Sequence, residues 1–295
     1  MIFSIIIPVH NDFLGVCDTV ESVLKQNNHL DETEIIIVDN NSGQDSWISL
    51  QNYVSKINNI NIKLLQQNEI QSSYASRNLG ILNAFGKYMI FIDANLTFND
   101  DLLEKLYLSL NNSTCNYFGI NVQIDKKTTT VAGIYNYFRG FNVKDSIKES
   151  HYTPTCFLVI HRDVISNVGL FEGSLISGGD FEFGNRVYKN NIGQKYLGHI
   201  KAIHPPRETF GELIKKTKRI AIGYAQLANR FPDEYGYIIN KSLKIKNYLP
   251  RNFFLYQKKC NKEGFKIGFI KLVWLSCIHV PINIYNQFII RRNLD

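Results

Sequence analysis

The first hundred residues alternate between two spacings of apolar side chains. Short apolar runs predict buried strands at Phe3–Pro8 and Glu34–Val38, a third strand at Ile62–Leu65 and a fourth at Tyr88–Ile92. The residues between and after them repeat at helical intervals, which predicts helices at Asp12–Lys25, about Ser46–Lys56, Ser72–Ala84 and Asp100–Asn111. Strands that alternate with helices predict an α/β fold, with a mostly parallel sheet flanked by helices.

The pattern is weaker after Asn111. It predicts strands at Tyr117–Ile124, Thr129–Tyr137 and Cys156–His161, and helices at Asp180–Asn190 and Arg207–Arg230. The residues after Phe231 are typical of short helices. We therefore predict one α/β domain over residues 1–230, followed by a helical C-terminal appendage over residues 231–295.

Positive charge is concentrated late in the chain, which has a formal charge of +7. Much of the excess lies in Arg207–Arg219 and Lys241–Lys271, where it is mixed with aromatic residues. Such a surface is either a solvated basic face, a site for anionic lipid headgroups or a nucleic-acid site. No motif that reads nucleic acid is recognisable, so we do not expect a nucleic-acid partner.

The apolar stretch Leu272–Ile290 is long enough to span a membrane, but it contains polar residues and a proline that make insertion costly. Two interpretations stay open: an interfacial segment, or a helix packed on the domain. Five scattered cysteines without a CxxC pair indicate neither a disulfide framework nor a zinc site. They favour a reducing, cytoplasmic location. Peripheral contact with the inner face of the cell membrane stays open.

Polar side chains follow three of the predicted strands. They are His10-Asn11, Asp39-Asn40-Asn41-Ser42 and Asp93-Ala94-Asn95. Ligands of open α/β sheets bind beyond the carboxyl ends of the strands, so the three groups predict one site. Asp39 either accepts from a base or ribose or caps the next helix. The oxygen side chains of Asp93 and Asn95 suit Mg²⁺ or Mn²⁺ on a diphosphate.

Two later residues are candidates for chemistry. Asp180 follows two glycines at the start of a predicted helix, where it acts either as a general base or as a helix cap. Glu182 lies two residues further on and does not share its helix face, so only one of the two is expected in the site. His204 precedes two prolines and either completes a metal shell or has a structural role.

These signals occur in a fixed order that resembles the family-2 glycosyltransferases with the GT-A fold. The resemblance covers roughly residues 3–230. The matching stretches are Ser4-Ile5-Ile6-Ile7-Pro8-Val9-His10-Asn11, Glu21–Gln26, Glu34–Ser42, Arg77-Asn78-Leu79-Gly80, Gly86–Asn95, Val168-Gly169-Leu170-Phe171, Gly178–Arg186 and His204-Pro205-Pro206-Arg207.

The resemblance implies an inverting transfer of a sugar from a nucleoside-diphosphate donor, usually of uridine, to a glycan or lipid-linked acceptor in cell-surface polysaccharide biosynthesis. Asp180 matches the position of the general base. The implied ligands of Mn²⁺ or Mg²⁺ are Asp93, Asn95 and His204. The implied donor-binding residues are Pro8, Val9, His10, Asp39, Asn41, Arg77 and Asp93.

One position departs from the family pattern. The family usually carries an aspartate where this chain has Asn95, and an amide brings no negative charge to a metal. The site therefore uses metal weakly, relies on cations such as Arg207 or Lys215, or has lost activity. The last case would make the chain a non-catalytic nucleotide-sugar-binding subunit of a glycan assembly complex. A dehydrogenase or nucleotidyltransferase is disfavoured because no glycine-rich phosphate loop follows the first strand.

Overall fold

The computed structural model describes residues 1–58, 60–241 and 248–294. The eight strands of the described chain form one sheet. Their bounds are β1 Phe3–Val9, β2 Thr33–Asp39, β3 Asn61–Gln66, β4 Tyr88–Ile92, β5 Thr97–Phe98, β6 Tyr117–Ile124, β7 Phe157–His161 and β8 Gln194–His204.

Helices connect these strands and make up the C-terminal part. Nine of those described lie within the first 230 residues: α1 Phe13–Leu24, α2 Gln44–Val54, α3 Ser73–Leu82, α4 Leu102–Asn111, α5 Val131–Arg139, α6 Val143–Ser150, α7 Arg162–Val168, α8 Gly179–Lys189 and α9 Phe210–Arg230. The later ones are α10 Pro232–Tyr235, α11 Tyr237–Lys241, α12 Phe253–Glu263, α13 Phe269–Cys277 and α14 His279–Arg292.

The strand order is β3-β2-β1-β4-β7-β6-β8-β5. The first four strands in this order are parallel, with β1 between β2 and β4. Beyond β4 the sheet changes direction, because β7 pairs antiparallel with both β4 and β6, and β5 with β8. The predicted α/β fold is confirmed, and the carboxyl ends of β1, β2 and β4 meet at one edge.

Three of the four parallel strands are buried on both faces, whereas β3 at the edge is partly exposed. Every residue of β1, β2 and β4 is buried, as expected for strands covered by helices on each side. Helix α1 begins where the sequence indicates, because the Asp12 carboxylate caps it by accepting from the Gly15 N–H at 3.1 Å. Ile5, Ile37 and Val20 belong to the core between this sheet and its helices.

The chain divides into two compact units. The first comprises residues 1–123, 141–174 and 179–204, and it contains the sheet edge described above. The second comprises residues 124–140, 175–178 and 205–295, and it has its own core around Leu213, Tyr256 and Leu272. Helix α9 belongs to the second unit together with the C-terminal helices. The predicted boundary after residue 230 stays a prediction.

One predicted strand is wrong. Residues 129–137 contain β-branched and aromatic residues, but Val131–Arg139 forms helix α5. The Thr130 hydroxyl caps this helix by accepting from the Gly133 N–H at 2.9 Å. Ile134 and Phe138, four residues apart, pack in the core of the second unit. Tertiary packing at helical spacing therefore overrides the strand propensity of these residue types.

Several elements were not predicted, namely β5, β8, α6 and α7. Strand β8 alternates buried and less buried residues, but its Gly198 and its lysines weaken the apolar signal. Within the predicted basic segment Lys241–Lys271, residues 242–247 lie outside the described residues.

Candidate active site

Three asparagines shape the turns that follow β1, β2 and β4. Asn11, Asn41 and Asn95 have φ values of 52°, 57° and 70°, in the left-handed region that asparagine tolerates better than most residues. The first two turns are joined, since the Asn11 N–H donates to the Ser42 hydroxyl at 2.8 Å and the Asn11 side-chain oxygen accepts from the Gly43 N–H at 2.8 Å. The turns after β1 and β2 are therefore held together by two hydrogen bonds at this edge of the sheet.

Asp39, the last residue of β2, is fully buried. Its Oδ2 accepts from the Ser42 N–H at 3.1 Å and lies 3.5 Å from the Gln66 amide nitrogen. Its Oδ1 has no hydrogen-bond donor among the described residues. Buried carboxylate oxygens are normally satisfied, and an unpaired one at a sheet edge has the chemistry to accept an N–H or O–H from a ligand.

Three further predicted residues, at the end of β1 and just after it, lie beside Asp39. Val9 pairs with Asp39 across the sheet, and Pro8 and Val9 are both buried. His10 is exposed, and its Nδ1 lies 3.0 Å from the carbonyl oxygen of Asn40. Because a carbonyl only accepts, Nδ1 carries the proton and Nε2 accepts from the Asn11 amide at 3.1 Å. The ring is thus held beside the Asp39 turn.

Arg77 and Asp93 form an ion pair. Arg77 is 2% exposed on α3, and its guanidinium donates to Asp93 Oδ1 at 2.5 Å, while the Asp93 side chain remains 41% exposed. The Nε of Arg77 has no acceptor among the described residues. A nearly buried cation therefore pairs with the carboxylate of Asp93, the residue that follows β4.

Asn95 faces the start of α1. Its amide nitrogen donates to Asp12 Oδ2, and its backbone N–H donates to the Gly15 carbonyl at 2.9 Å. A Cβ on Gly15 would lie 2.4 Å from the Asn95 amide, so a larger residue there would displace the Asn95 side chain. Asp12 thus binds Gly15 with one oxygen and Asn95 with the other. The side chain of Asn95 is part of the junction between this turn and α1.

His204 ends β8 and lies one residue beyond the pair Ile203–Thr97, which brings it next to the segment that follows Asn95. Its ring packs near Phe141, with centroids 5.5 Å apart. Within the described ranges, no group of three His, Cys, Asp or Glu side chains is placed to hold a metal ion. With Asp93 paired to Arg77 and Asn95 bound to Asp12, these residues do not fit a preformed metal site.

Asp180 lies in the first turn of α8. Its Oδ1 accepts from the Tyr74 hydroxyl at 3.2 Å and from the Phe181 N–H at 3.0 Å. A Cβ on Gly179 would lie 2.9 Å from the Tyr74 ring, so the glycine permits this approach. Glu182, in contrast, makes two hydrogen bonds to Arg186 at 2.7 and 2.8 Å. Of the two acidic residues, Asp180 is the one placed toward α3.

Helix α3 connects the two acidic candidates. Tyr74 and Arg77 are three residues apart and share a helix face, and they bind Asp180 and Asp93 respectively. Sequence reasoning missed Tyr74, and it assigned Asp12 only a capping role. The three-residue spacing of Tyr74 and Arg77 on a predicted helix was the available signal for Tyr74. The predicted cations Arg207 and Lys215 belong to the second unit.

Comparison with known proteins identifies the family. Residues 4–169 match the model of glycosyl transferase family 2. The glycosyltransferase AglE of Haloferax volcanii is 30% identical over 225 residues, which are 76% of this chain and 73% of AglE. The minor teichoic acid biosynthesis protein GgaB of Bacillus subtilis is 25% identical over 59% of this chain, and the match spans 20% of GgaB.

Solved structures share the fold at low identity. The mannosyltransferase PcManGT of Pyrobaculum calidifontis, solved with GDP-Man and Mn²⁺, superposes with a TM-score of 0.65 at 12% identity, over 99% of this chain and 86% of that protein. TarS 1–349 of S. aureus, solved with UDP-GlcNAc, gives 0.56 at 17% identity, over 100% and 89%. The match to the family model and the similarity to AglE show that the protein is a glycosyltransferase. The chain belongs to glycosyl transferase family 2.

Proposed function

We propose that the chain transfers a sugar from a nucleoside-diphosphate donor, with uridine as the base, to a hydroxyl of a glycan or lipid-linked acceptor. The observation that carries this proposal is the unpaired Oδ1 of buried Asp39. The imide N–H of uracil matches an acceptor of that kind. Both PcManGT and TarS were solved with nucleotide sugars, and GgaB takes part in teichoic acid biosynthesis, which supports a cell-surface polysaccharide as the acceptor class.

The donor groups would extend along the sheet edge from Asp39 toward Asp93. Pro8, Val9 and His10 line the turn beside Asp39, and Arg77 lies behind Asp93. A guanidinium is a donor that recognises anionic groups, and the exposed carboxylate of Asp93 suits a ribose hydroxyl. The assignment of Mn²⁺ or Mg²⁺ to Asp93, Asn95 and His204 stays a prediction, and no step of the proposed reaction depends on it.

In the proposed inverting reaction, Asp180 is the general base. Its carboxylate accepts the proton of the acceptor hydroxyl, whose oxygen attacks the anomeric carbon. The bond from that carbon to the diphosphate breaks on the opposite face, and the nucleoside diphosphate leaves with the electron pair. The Tyr74 hydroxyl, which donates to Asp180 Oδ1, would fix the orientation of the base.

One screen and one variant test the proposal. UDP-, GDP- and dTDP-sugars are compared by thermal shift with and without Mn²⁺, and the donor that stabilises the protein most is used to measure transfer. Asp180→Asn keeps an oxygen for Tyr74 and the Phe181 N–H but removes the base. We expect transfer to fall at least about a hundredfold with donor binding unchanged. Asp101→Asn, which removes a charge near the start of α4, is the matched control.

The alternative is a nucleotide-sugar-binding subunit without activity. The engagement of Asn95 by Asp12 favours it, because this arrangement leaves the second acidic position of the family motif outside a metal shell. Transfer or donor hydrolysis by the purified wild-type chain, lost in Asp180→Asn, would exclude this alternative. Donor binding without either reaction would support it.

A further inference from the structure

The C-terminal helices of the second unit expose an unusual set of large apolar side chains. Phe254 and Leu255 lie at the start of α12, and α13 adds four more exposed residues. We define the docking face by these six residues: Phe254, Leu255, Phe269, Ile270, Val273 and Trp274. Phe254, Phe269 and Ile270 are each at least 73% exposed, and Trp274 is 64% exposed. Soluble proteins rarely leave clustered side chains of this size to water.

The six residues are brought together by the helices that carry them. Phe253 joins the two helix starts, because its ring lies 5.6 Å from that of Phe254 and 5.5 Å from that of Phe269. At ~100° per residue, the four exposed residues of α13 occupy about 140° of its circumference. Leu272 and Leu275 occupy the opposite side and are buried in the core of the second unit. The helix is thus anchored by one face and presents the other.

Basic residues border this face. Lys258 and Lys262 follow Phe254 at four-residue intervals on α12, and all three are exposed. Lys271 lies at the edge of the apolar arc of α13 and is also exposed. Residues 248–294 contain eight Lys and Arg residues against the single acidic residue Glu263, whose carboxylate accepts from the Tyr137 hydroxyl at 2.8 Å. The border of the face therefore has the charge that attracts anionic surfaces.

We propose that the docking face binds the surface of an anionic membrane, with its apolar residues in the headgroup–acyl boundary and its lysines at the phosphates. Exposed Phe and Trp with flanking Lys is the composition of interfacial segments, since aromatic rings prefer the membrane–water boundary. Lysine stems lie along apolar surface while their ammonium groups reach the headgroups. The lipid-linked acceptor of the proposed function would be found at such a surface, but the inference rests on this unit alone.

The same helices argue against a transmembrane span. The stretch Phe269–Arg292 is long and apolar enough to cross a membrane, yet 44% of its most apolar window is buried inside the protein. Ile289 and Ile290 pack with Ala221 of α9, and the buried His279 binds the Leu249 carbonyl at 2.8 Å. A spanning helix would have to give up these contacts. The face therefore lies on the membrane rather than across it.

Vesicle flotation of the full chain tests the proposal without donor or acceptor. We expect binding to vesicles of phosphatidylcholine with phosphatidylglycerol, weak binding to phosphatidylcholine alone, and release at high salt. The double variant Phe269→Ser/Trp274→Ser should lower the partition coefficient at least about tenfold. The double variant Lys258→Gln/Lys262→Gln should lower it by about 30-fold, since each surface lysine contributes about 1 kcal/mol. Leu82→Ser, which removes an equally exposed leucine of the first unit, should bind like wild type.

Tryptophan fluorescence locates the contact. The chain has two tryptophans, so Trp47→Phe leaves Trp274 as the only reporter. We expect its emission to shift to the blue on anionic vesicles and to be quenched by lipids brominated near the headgroup. Circular dichroism confirms that each variant is folded.

Equal binding to neutral vesicles, or none to anionic ones, would overturn the proposal, as would a bound fraction that resists alkaline extraction. A wild-type dimer that dissociates in the Phe269→Ser/Trp274→Ser variant, without vesicle binding, would assign the face to a second copy instead. Donor binding is measured separately without vesicles, so failure here leaves the donor assignment untouched.

Discussion

Replacement of Asp39 by asparagine is the sharpest test of the nucleotide site. In the wild-type chain Oδ2 accepts from the Ser42 N–H, and Oδ1 is unpaired and buried. An asparagine has only one acceptor oxygen, and the Ser42 N–H requires it at the Oδ2 position. The amide NH₂ must then point to the Oδ1 position, where it opposes the imide N–H of uracil.

The magnitude follows from the bond that is lost. A hydrogen bond to a charged group contributes roughly 1.5–3 kcal/mol, and about 1.4 kcal/mol corresponds to a tenfold change in affinity. We therefore expect the Kd for UDP to rise about 10- to 100-fold in Asp39→Asn. Stability should change little, because the Ser42 N–H keeps an acceptor. CDP should lose less affinity than UDP, since the N3 atom of cytosine accepts a hydrogen bond from the new amide.

Isothermal titration of UDP and CDP into both proteins measures the effect, with thermal melting as the control for folding. Asp45→Asn removes one charge from the exposed first turn of α2 and should change the Kd less than about twofold. An unchanged Kd for UDP in Asp39→Asn would refute the assignment of Asp39 to the base. An equal loss in Asp45→Asn would show that net charge, rather than the unpaired oxygen, controls binding.

Three further predictions concern contacts within the first unit. Tyr74→Phe removes the hydroxyl that donates to Asp180, and we expect kcat to fall about five- to tenfold in steady-state assays while the donor Kd stays unchanged in binding assays. A kcat equal to that of the wild type would show that Asp180 needs no such partner. Asn95→Asp sets a carboxylate against Asp12 and should lower the free energy of unfolding in urea by about 1–3 kcal/mol. The swapped double variant Asp12→Asn/Asn95→Asp should recover part of this loss, and no recovery would contradict the pairing. Burial alone raises the pKa of Glu34, but hydrogen bonds from the Phe85 N–H, Ser4 and Lys63 outweigh it and hold the pKa below its ordinary 4.5. Its ionised form therefore stabilises the fold above pH 4.5, and this stability is lost as the pH falls through the lower folded pKa. Glu34→Gln should lower the free energy of unfolding by about 2 kcal/mol at neutral pH and weaken the pH dependence of stability below pH 4.5. An acid-unfolding curve that is the same in the variant and the wild type would refute this.

The first half of the fold could be predicted because its signals are local. β1, β2 and β4 are buried on both faces, so each is a continuous apolar run, and the capping aspartate of α1 stands next to its helix. Helix α5 could not be predicted in this way, since its helical state depends on packing against the C-terminal helices. Strand β8 is only partly buried, and its alternation is interrupted by glycine.

The positions of the candidate residues along the sheet could be predicted, whereas most of their contacts could not. Asp39 and Asp93 follow apolar runs and are visible in the sequence, and the structure places both at one sheet edge. The bonds that decide their chemistry join distant residues: Asn95 to Asp12 and Asp180 to Tyr74 lie 83 and 106 positions apart. No periodicity carries that information. The partner of Asn95 mattered most, because it takes the side chain away from the metal role that the family pattern implies.

Helix α3 gives this site a thermodynamic property of its own. Through Tyr74 and Arg77 it binds the proposed base and the carboxylate of the donor side with one rigid element. A donor group that binds Asp93 in place of Arg77 would change the preferred position of α3. Tyr74, on the same helix, would then change the environment of Asp180. Linkage is reciprocal, so occupancy of the acceptor side would alter donor affinity by the same factor. The affinities for the two substrates would then be coupled through one turn of helix.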